Sequence, residues 1–155
     1  MGMLIEGELT EAILGAAVEV HRHLGPGLLE SAYEFCLRRE LDARGIEFEA
    51  QVALPISYRG VLLDVGYRMD FVVEDAVVLE LKAIERLLPI HEAQLLTYLR
   101  MSRKSVGLLL NFNVTALRSG LIRRVLEPSA PPRLRGKTIR GCPAVSEGAR
   151  RRSSF

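Results

Sequence analysis

The sequence predicts an α/β domain, and three observations carry that prediction. Apolar residues recur at helical spacing up to Ala43. From Phe48 the period drops to two. Two nearly continuous apolar runs, Ala76–Leu81 and Val106–Phe112, then read as buried strands separated by a helical stretch.

The elements follow in order. Leu4, Ile5, Ile13, Leu14, Ala17, Val18 and Val20 mark a first helix from Leu4 to Leu24, stopped by Gly25-Pro26-Gly27. A second helix runs from about Leu28 to Ala43 on the stripe Leu29, Ala32, Tyr33, Cys36, Leu37 and Leu41, and Gly45 ends it. Phe48, Ala50, Val52 and Leu54 then alternate with polar residues as a strand. Tyr58-Arg59-Gly60 is a turn, and Val61 to Glu74 reads as a second long strand. After a turn at Glu74-Asp75 comes the buried strand Ala76–Leu81. Pro89 precedes a helix from about Ile90 to Arg103. The strand Val106–Phe112, a short helix near Thr115–Ser119 and a strand Leu121–Leu126 complete the core. The order is ααβββαβαβ: a three-strand meander crossed by a helix into a fourth strand, without internal repeats.

Composition narrows the function classes. The chain has 155 residues, 48% hydrophobic and 26% charged, with a net charge of +2. One domain with a sizeable core fits that length. No apolar run reaches the roughly 18 residues of a bilayer span. Glu6, Glu8 and Glu11 interrupt the place of a secretory signal, and Glu6 stands where myristoylation needs Ser or Thr. Two cysteines and three histidines are too sparse along the chain for a structural zinc site built from four cysteines, or from a cysteine pair and a histidine pair. The expectation is a reduced, cytoplasmic protein with no membrane partner.

The mean charge hides an asymmetry. Residues 1–127 carry 14 basic and 18 acidic residues, a net −4. Residues 128–155 carry seven basic residues and one Glu, a net +6. The expected domain is therefore 1–127. The expected tail, 128–155, is too poor in large apolar residues to offset its ordering entropy, so it should be mobile. Such a basic tail serves equally as a phosphate-neutralising arm or as a solubilising extension.

Asp70, Glu80 and Lys82 carry the chemistry. Glu80 and Lys82 are two apart on a strand and share a face, with Leu81 behind them. If the strands on either side of Glu74-Asp75 pair, Asp70 and Glu80 lie opposite one another. Two carboxylates suit a hard divalent cation, Mg²⁺ or Mn²⁺. Lys82 could orient a water and offset negative charge in a phosphoryl transition state. A solvent-face salt bridge is the plainer explanation of Glu80 and Lys82. Against it, Glu80 interrupts an otherwise apolar strand, where charge is rare unless paired or coordinating.

These residues stand among familiar neighbours. Gly27, Glu30 and Tyr33 spell G-x-x-E-x-x-Y. Asp70 and Glu80-Leu81-Lys82 follow, then Gln94 and Tyr98 as Q-x-x-x-Y. From about Ile13 to Leu126 the chain resembles the GxxExxY family, a branch of the PD-(D/E)XK nuclease superfamily. Met69 stands where the superfamily motif has Pro. The resemblance implies a restriction-endonuclease-like core: a mixed four- to five-stranded sheet flanked by helices, with the metal site where the second and third strands diverge. It implies Asp70 and Glu80 as metal ligands, joined by the Leu81 carbonyl and by Glu30. It implies Lys82 as the group that positions water, and Gln94 and Tyr98 as residues placing the substrate backbone.

Some of these positions have structural readings as well. Glu30 opens a helix, where the dipole alone favours an acid. Tyr33 and Tyr98 fall on apolar stripes. His91 suits a helix start, His21 and His23 cannot face one metal, and Asn111 and Asn113 suit caps of the short helix. The resulting expectation is a metal-dependent nuclease acting on DNA rather than RNA. The alternative is a non-catalytic nucleic-acid-binding or assembly module that keeps the fold. Self-association or a protein partner is a third expectation, because the domain lacks an obvious substrate-gripping subdomain.

Overall fold

The structure is a computed structural model and describes residues 2–127; the basic segment 128–155 lies outside the described residues. Two helices, α1 (Gly2–Leu24) and α2 (Glu30–Ala43), precede the strands β1 (Phe48–Ala53), β2 (Ile56–Tyr58), β3 (Val61–Leu63), β4 (Arg68–Val73) and β5 (Val77–Lys82). Helix α3 (Pro89–Ser102), strand β6 (Val106–Asn111), a 3-10 turn (Leu117–Gly120) and strand β7 (Leu121–Val125) follow. Five strands form one mixed sheet in the order β1-β4-β5-β6-β7. Only β5 and β6 are parallel, because α3 carries the chain across between them.

Helices cover both faces of this sheet. Ile13, Ala17 and Val20 of α1 and Tyr33, Leu37 and Leu41 of α2 pack with Phe71, Leu79, Leu81, Leu108 and Leu110. Leu95, Tyr98 and Leu99 of α3 pack on the other face with Val72, Val78 and Leu109. Burial on both faces explains why β5 and β6 read as apolar runs without alternation. Gly107 admits α3 closely, since a Cβ there would meet Leu95 Cδ1 at 2.8 Å.

The sheet departs from the sequence reading in two places. The strand expected over Val61–Glu74 is divided. Val61–Leu63 pairs with β2 as a separate two-stranded hairpin, and Gly66, at φ +82°, lies in the link to β4. The alternation expected over Phe48–Leu54 also breaks. Phe48 and Ala50 pack with the α1–α2 core, whereas Val52 and Leu54 pack with the α3 core.

The loop between the first two helices is tied from within. The Tyr33 hydroxyl donates to the Gly25 carbonyl at 2.6 Å and accepts from the Leu28 N–H at 3.1 Å. Its ring stacks on Phe112, with centroids 4.5 Å apart. Gly27 takes φ +98°, which a side chain disfavours. The Gly and Tyr of G-x-x-E-x-x-Y therefore shape the turn that sets Glu30 as the first residue of α2. Replacing Tyr33 by Phe removes both hydrogen bonds and should cost about 1–3 kcal/mol in urea unfolding. A loss below about 0.5 kcal/mol would show that the stacked ring alone holds the loop.

Candidate active site

Strands β4 and β5 pair as Val73↔Val77, Val72↔Val78 and Phe71↔Leu79, and then part. Asp70 and Glu80 stand at the next register position, as their spacing about the Glu74-Asp75 turn implies. Side chains replace the ladder there. Glu80 Oε1 accepts the Asp70 N–H at 3.1 Å, and Asp70 Oδ2 accepts the Leu81 N–H at 2.8 Å. Each carboxylate thus satisfies a backbone donor that the diverging strands leave unpaired.

Burial gives these carboxylates unusual proton affinity. Glu80 is 5% exposed. Desolvation, reinforced by the nearby Asp70 charge, pushes its pKa up to about 8. Desolvation also raises Asp70, against the lowering effect of the Leu81 N–H. Glu30 is raised by desolvation first and by the Asp70 charge second. Lys82, half-buried at the end of β5, lies near enough for its charge to oppose the rise at all three. It makes no ion pair among the described residues.

Helix α3 supplies a second pair on the Glu80 side of the sheet. Gln94 Nε2 donates to the Tyr98 hydroxyl at 2.8 Å. The Tyr98 pKa is raised, by desolvation first and then by the charges of Glu80 and Asp70 among others. Gln94 and Tyr98 also line a groove of about 240 Å³ with Tyr67, Ile90 and Met101. The larger cavity, about 500 Å³, lies away from this constellation. Its walls include Asp42, Glu47, Glu49, Glu74 and Asp75, an acidic lining that repels phosphate.

The expected site residues do not all converge equally. Asp70 and Glu80 meet through the parted strands, with Lys82 and Tyr98 within charge range. Glu30 lies at an exposed helix start, and among the described residues no three acidic, histidine or cysteine side chains form a ready-made cation cluster. Leu81 buries its side chain in the core and offers only backbone. Asn111 does not cap the short helix. It is buried, accepts the Ile84 N–H at 3.1 Å and donates to the Ile84 carbonyl at 2.9 Å, fastening the loop just after Lys82. His91 accepts the Leu88 N–H at helix α3, as its position suggested, and His21 bonds the Val114 carbonyl.

Comparison with known proteins bears on the family and the fold. A family model of the PD-(D/E)XK nuclease superfamily matches residues 7–125. The chain belongs to the PD-(D/E)XK nuclease superfamily. Searches of curated proteins and of solved structures found no match. Five strands in a mixed sheet, with helices on both faces, make the restriction-endonuclease-like fold of that superfamily. Its members generally use divalent cations such as Mg²⁺ or Mn²⁺. No helix among the described residues is long and apolar enough to cross a membrane.

Two residues beside the superfamily motif escaped the sequence reading. Gln51 Nε2 donates to Glu34 Oε1 at 3.0 Å and to Asp70 Oδ1 at 3.4 Å. Glu34 was within reach, because it lies one helical turn from Glu30 on the same face. Asn111, expected as a cap, interrupts an apolar strand just as Glu80 does, and that signal marks it as a buried polar group.

The raised carboxyls set the pH dependence of stability without metal. Glu80 keeps its proton up to about pH 8 in the fold, whereas an unfolded Glu loses it near 4.3. The fold binds more protons between these values, so this contribution is full below about pH 4.3 and is lost as pH rises through about 8. In chelator, the melting temperature should fall from pH 5 to pH 8.5, and Glu80→Gln should remove much of that fall. A wild-type curve parallel to that of Glu80→Gln would show that Glu80 titrates alike in both states.

Proposed function

We propose that this chain is a divalent-cation-dependent nuclease of the GxxExxY branch, hydrolysing phosphodiester bonds of DNA in preference to RNA. One observation supports it above the rest: two carboxylates, the buried Glu80 and the half-buried Asp70, converge where β4 and β5 part, beside Lys82. A nucleic-acid substrate is what the superfamily membership implies.

The donor set fits a hard divalent cation. Asp70 Oδ1 carries only a long contact from Gln51, and the Glu80 carboxyl lies beside it in hydrogen-bond contact with Asp70, so the two face one place where a cation could replace their shared proton. Two oxygens, with the Leu81 carbonyl and Glu30 as further donors, leave places for water and a phosphate oxygen. When bound, the cation would polarise the phosphate and favour ionisation of the attacking water.

The protein groups do the rest. Lys82 donates to the attacking water and balances charge growing on the phosphate. Gln94 anchors the Tyr98 hydroxyl, and together they hold the substrate backbone on the α3 side. Glu80 would give up its proton if a cation bound, and that exchange would couple cation affinity to pH. The acidic core, net −4, offers little general attraction for a polyanion. The basic segment 128–155 supplies that attraction in this reading.

Asp70→Asn, Glu80→Gln and Lys82→Ala should each lower Mg²⁺-dependent cleavage of labelled DNA by more than about a hundredfold, since even outer partners of a metal site are worth about 10–100-fold. Circular dichroism should show all three folded. Retention of most activity by any of them would remove that residue from the site. Deleting 128–155 should weaken DNA binding and flatten its salt dependence while leaving the chemistry. An unchanged salt slope would exclude the tail from binding.

A further inference from the structure

Gln51 is the one non-glycine residue inside a described strand that adopts a left-handed backbone. Its φ is +53°, whereas the other positive-φ side-chain residues, Arg59, Glu74, Asp75 and Arg103, occupy turns or a helix end. Such a conformation costs roughly 1–3 kcal/mol when it is strained and persists only where the surroundings impose it. Gln51 is not a common left-handed residue, as Asn would be. No tight turn requires the conformation, because the β1–β4 register continues past it without an insertion. Ala50 pairs with Phe71 and Val52 with Met69, leaving Gln51 and Asp70 opposite each other and unpaired.

The consequence falls on Asp70. The rotation at Gln51 turns β1 from the α1–α2 core to the α3 core, and β4 turns with it: Phe71 packs on one side and Met69 on the other. Asp70 sits at this crossing. Its Oδ2 is held by the Leu81 N–H at 2.8 Å from one strand, and its Oδ1 faces the Gln51 amide at 3.4 Å from the other. The same amide nitrogen donates its second proton to Glu34 at 3.0 Å, and Arg38 holds Glu34 at 2.6 Å. Arg38, Glu34, Gln51 and Asp70 thus form one hydrogen-bonded line from α2 to the parted strands.

We propose that Gln51 is a positioning residue, whose amide, held in place by the left-handed backbone, orients the Asp70 carboxylate for cation binding. The inference rests on the reading that Asp70 is a cation ligand. It does not require Gln51 to touch cation or substrate. The left-handed backbone brings the amide between Glu34 and Asp70, and the strain is retained for that placement.

The discriminating variant is Gln51→Gly. Glycine takes φ +53° freely, so the variant loses the amide while relieving the backbone. Its thermal midpoint without metal should equal or exceed that of wild type. Its Mn²⁺ affinity, read by calorimetry, should fall about 10–100-fold, the usual effect of losing an outer partner of a metal ligand. The Mg²⁺ concentration giving half-maximal cleavage should rise by the same factor. Gln51→Asn tolerates the left-handed backbone, keeps an amide and should recover part of the affinity. Unchanged Mn²⁺ affinity in Gln51→Gly would overturn this inference while leaving the site reading intact. A midpoint that falls together with the affinity would also overturn it, by making Gln51 purely structural. A wild-type chain that binds no Mn²⁺ would overturn the site reading, and this inference with it.

Discussion

The parting of β4 and β5 after Phe71 and Leu79 is the constraint on which the rest of the site depends. Two strands that separate inside a covered sheet leave backbone donors without partners, and a buried unpaired donor is costly. Here the Asp70 and Glu80 carboxylates meet those donors directly. The same bonds bring two negative groups together in a poorly solvated place. The resulting conflict between backbone satisfaction and charge burial is relieved by a proton on Glu80, and a cation would relieve it by exchange. Divergence, burial and raised proton affinity follow from one arrangement of two strands.

The surrounding elements hold that arrangement from several sides. Helix α2 begins at Glu30 because Tyr33 ties its preceding loop. Helix α3 closes the other face and delivers Gln94 and Tyr98. Asn111 fastens the chain just beyond Lys82, so the end of β5 keeps its direction after pairing with β4 has ceased. None of these contacts is strong alone. Together they place charged groups from a helix and two strands within electrostatic range, which no local sequence propensity could do.

Much of this was legible in the sequence, for identifiable reasons. Glu80 betrayed itself by interrupting an apolar strand, and the short turn at Glu74-Asp75 set Asp70 opposite it. The two buried strands and the crossover helix followed from length and period. What escaped was conformational. Alternation over Phe48–Leu54 implied one face, but the left-handed Gln51 exchanges the faces midway, and intrinsic propensity gives no warning of a positive φ at glutamine. The apolar residues Val61–Leu63 looked like part of a long core strand. They are instead an exposed hairpin, since Gly66 and the link to β4 separate them from the sheet. Tyr33 lay on its helix's apolar stripe, but its service to the neighbouring loop depends on a tertiary contact that period alone cannot reveal.

The central claim is that Glu80 carries a proton in the metal-free fold and exchanges it for a divalent cation. Calorimetric titration of Mn²⁺ at pH 7, in two buffers of different ionisation enthalpy, tests it most directly. The account predicts binding accompanied by release of close to one proton per cation, and loss of that release together with most of the affinity in Glu80→Gln. Absence of binding up to millimolar Mn²⁺, or equal binding and proton release in Glu80→Gln, would contradict it.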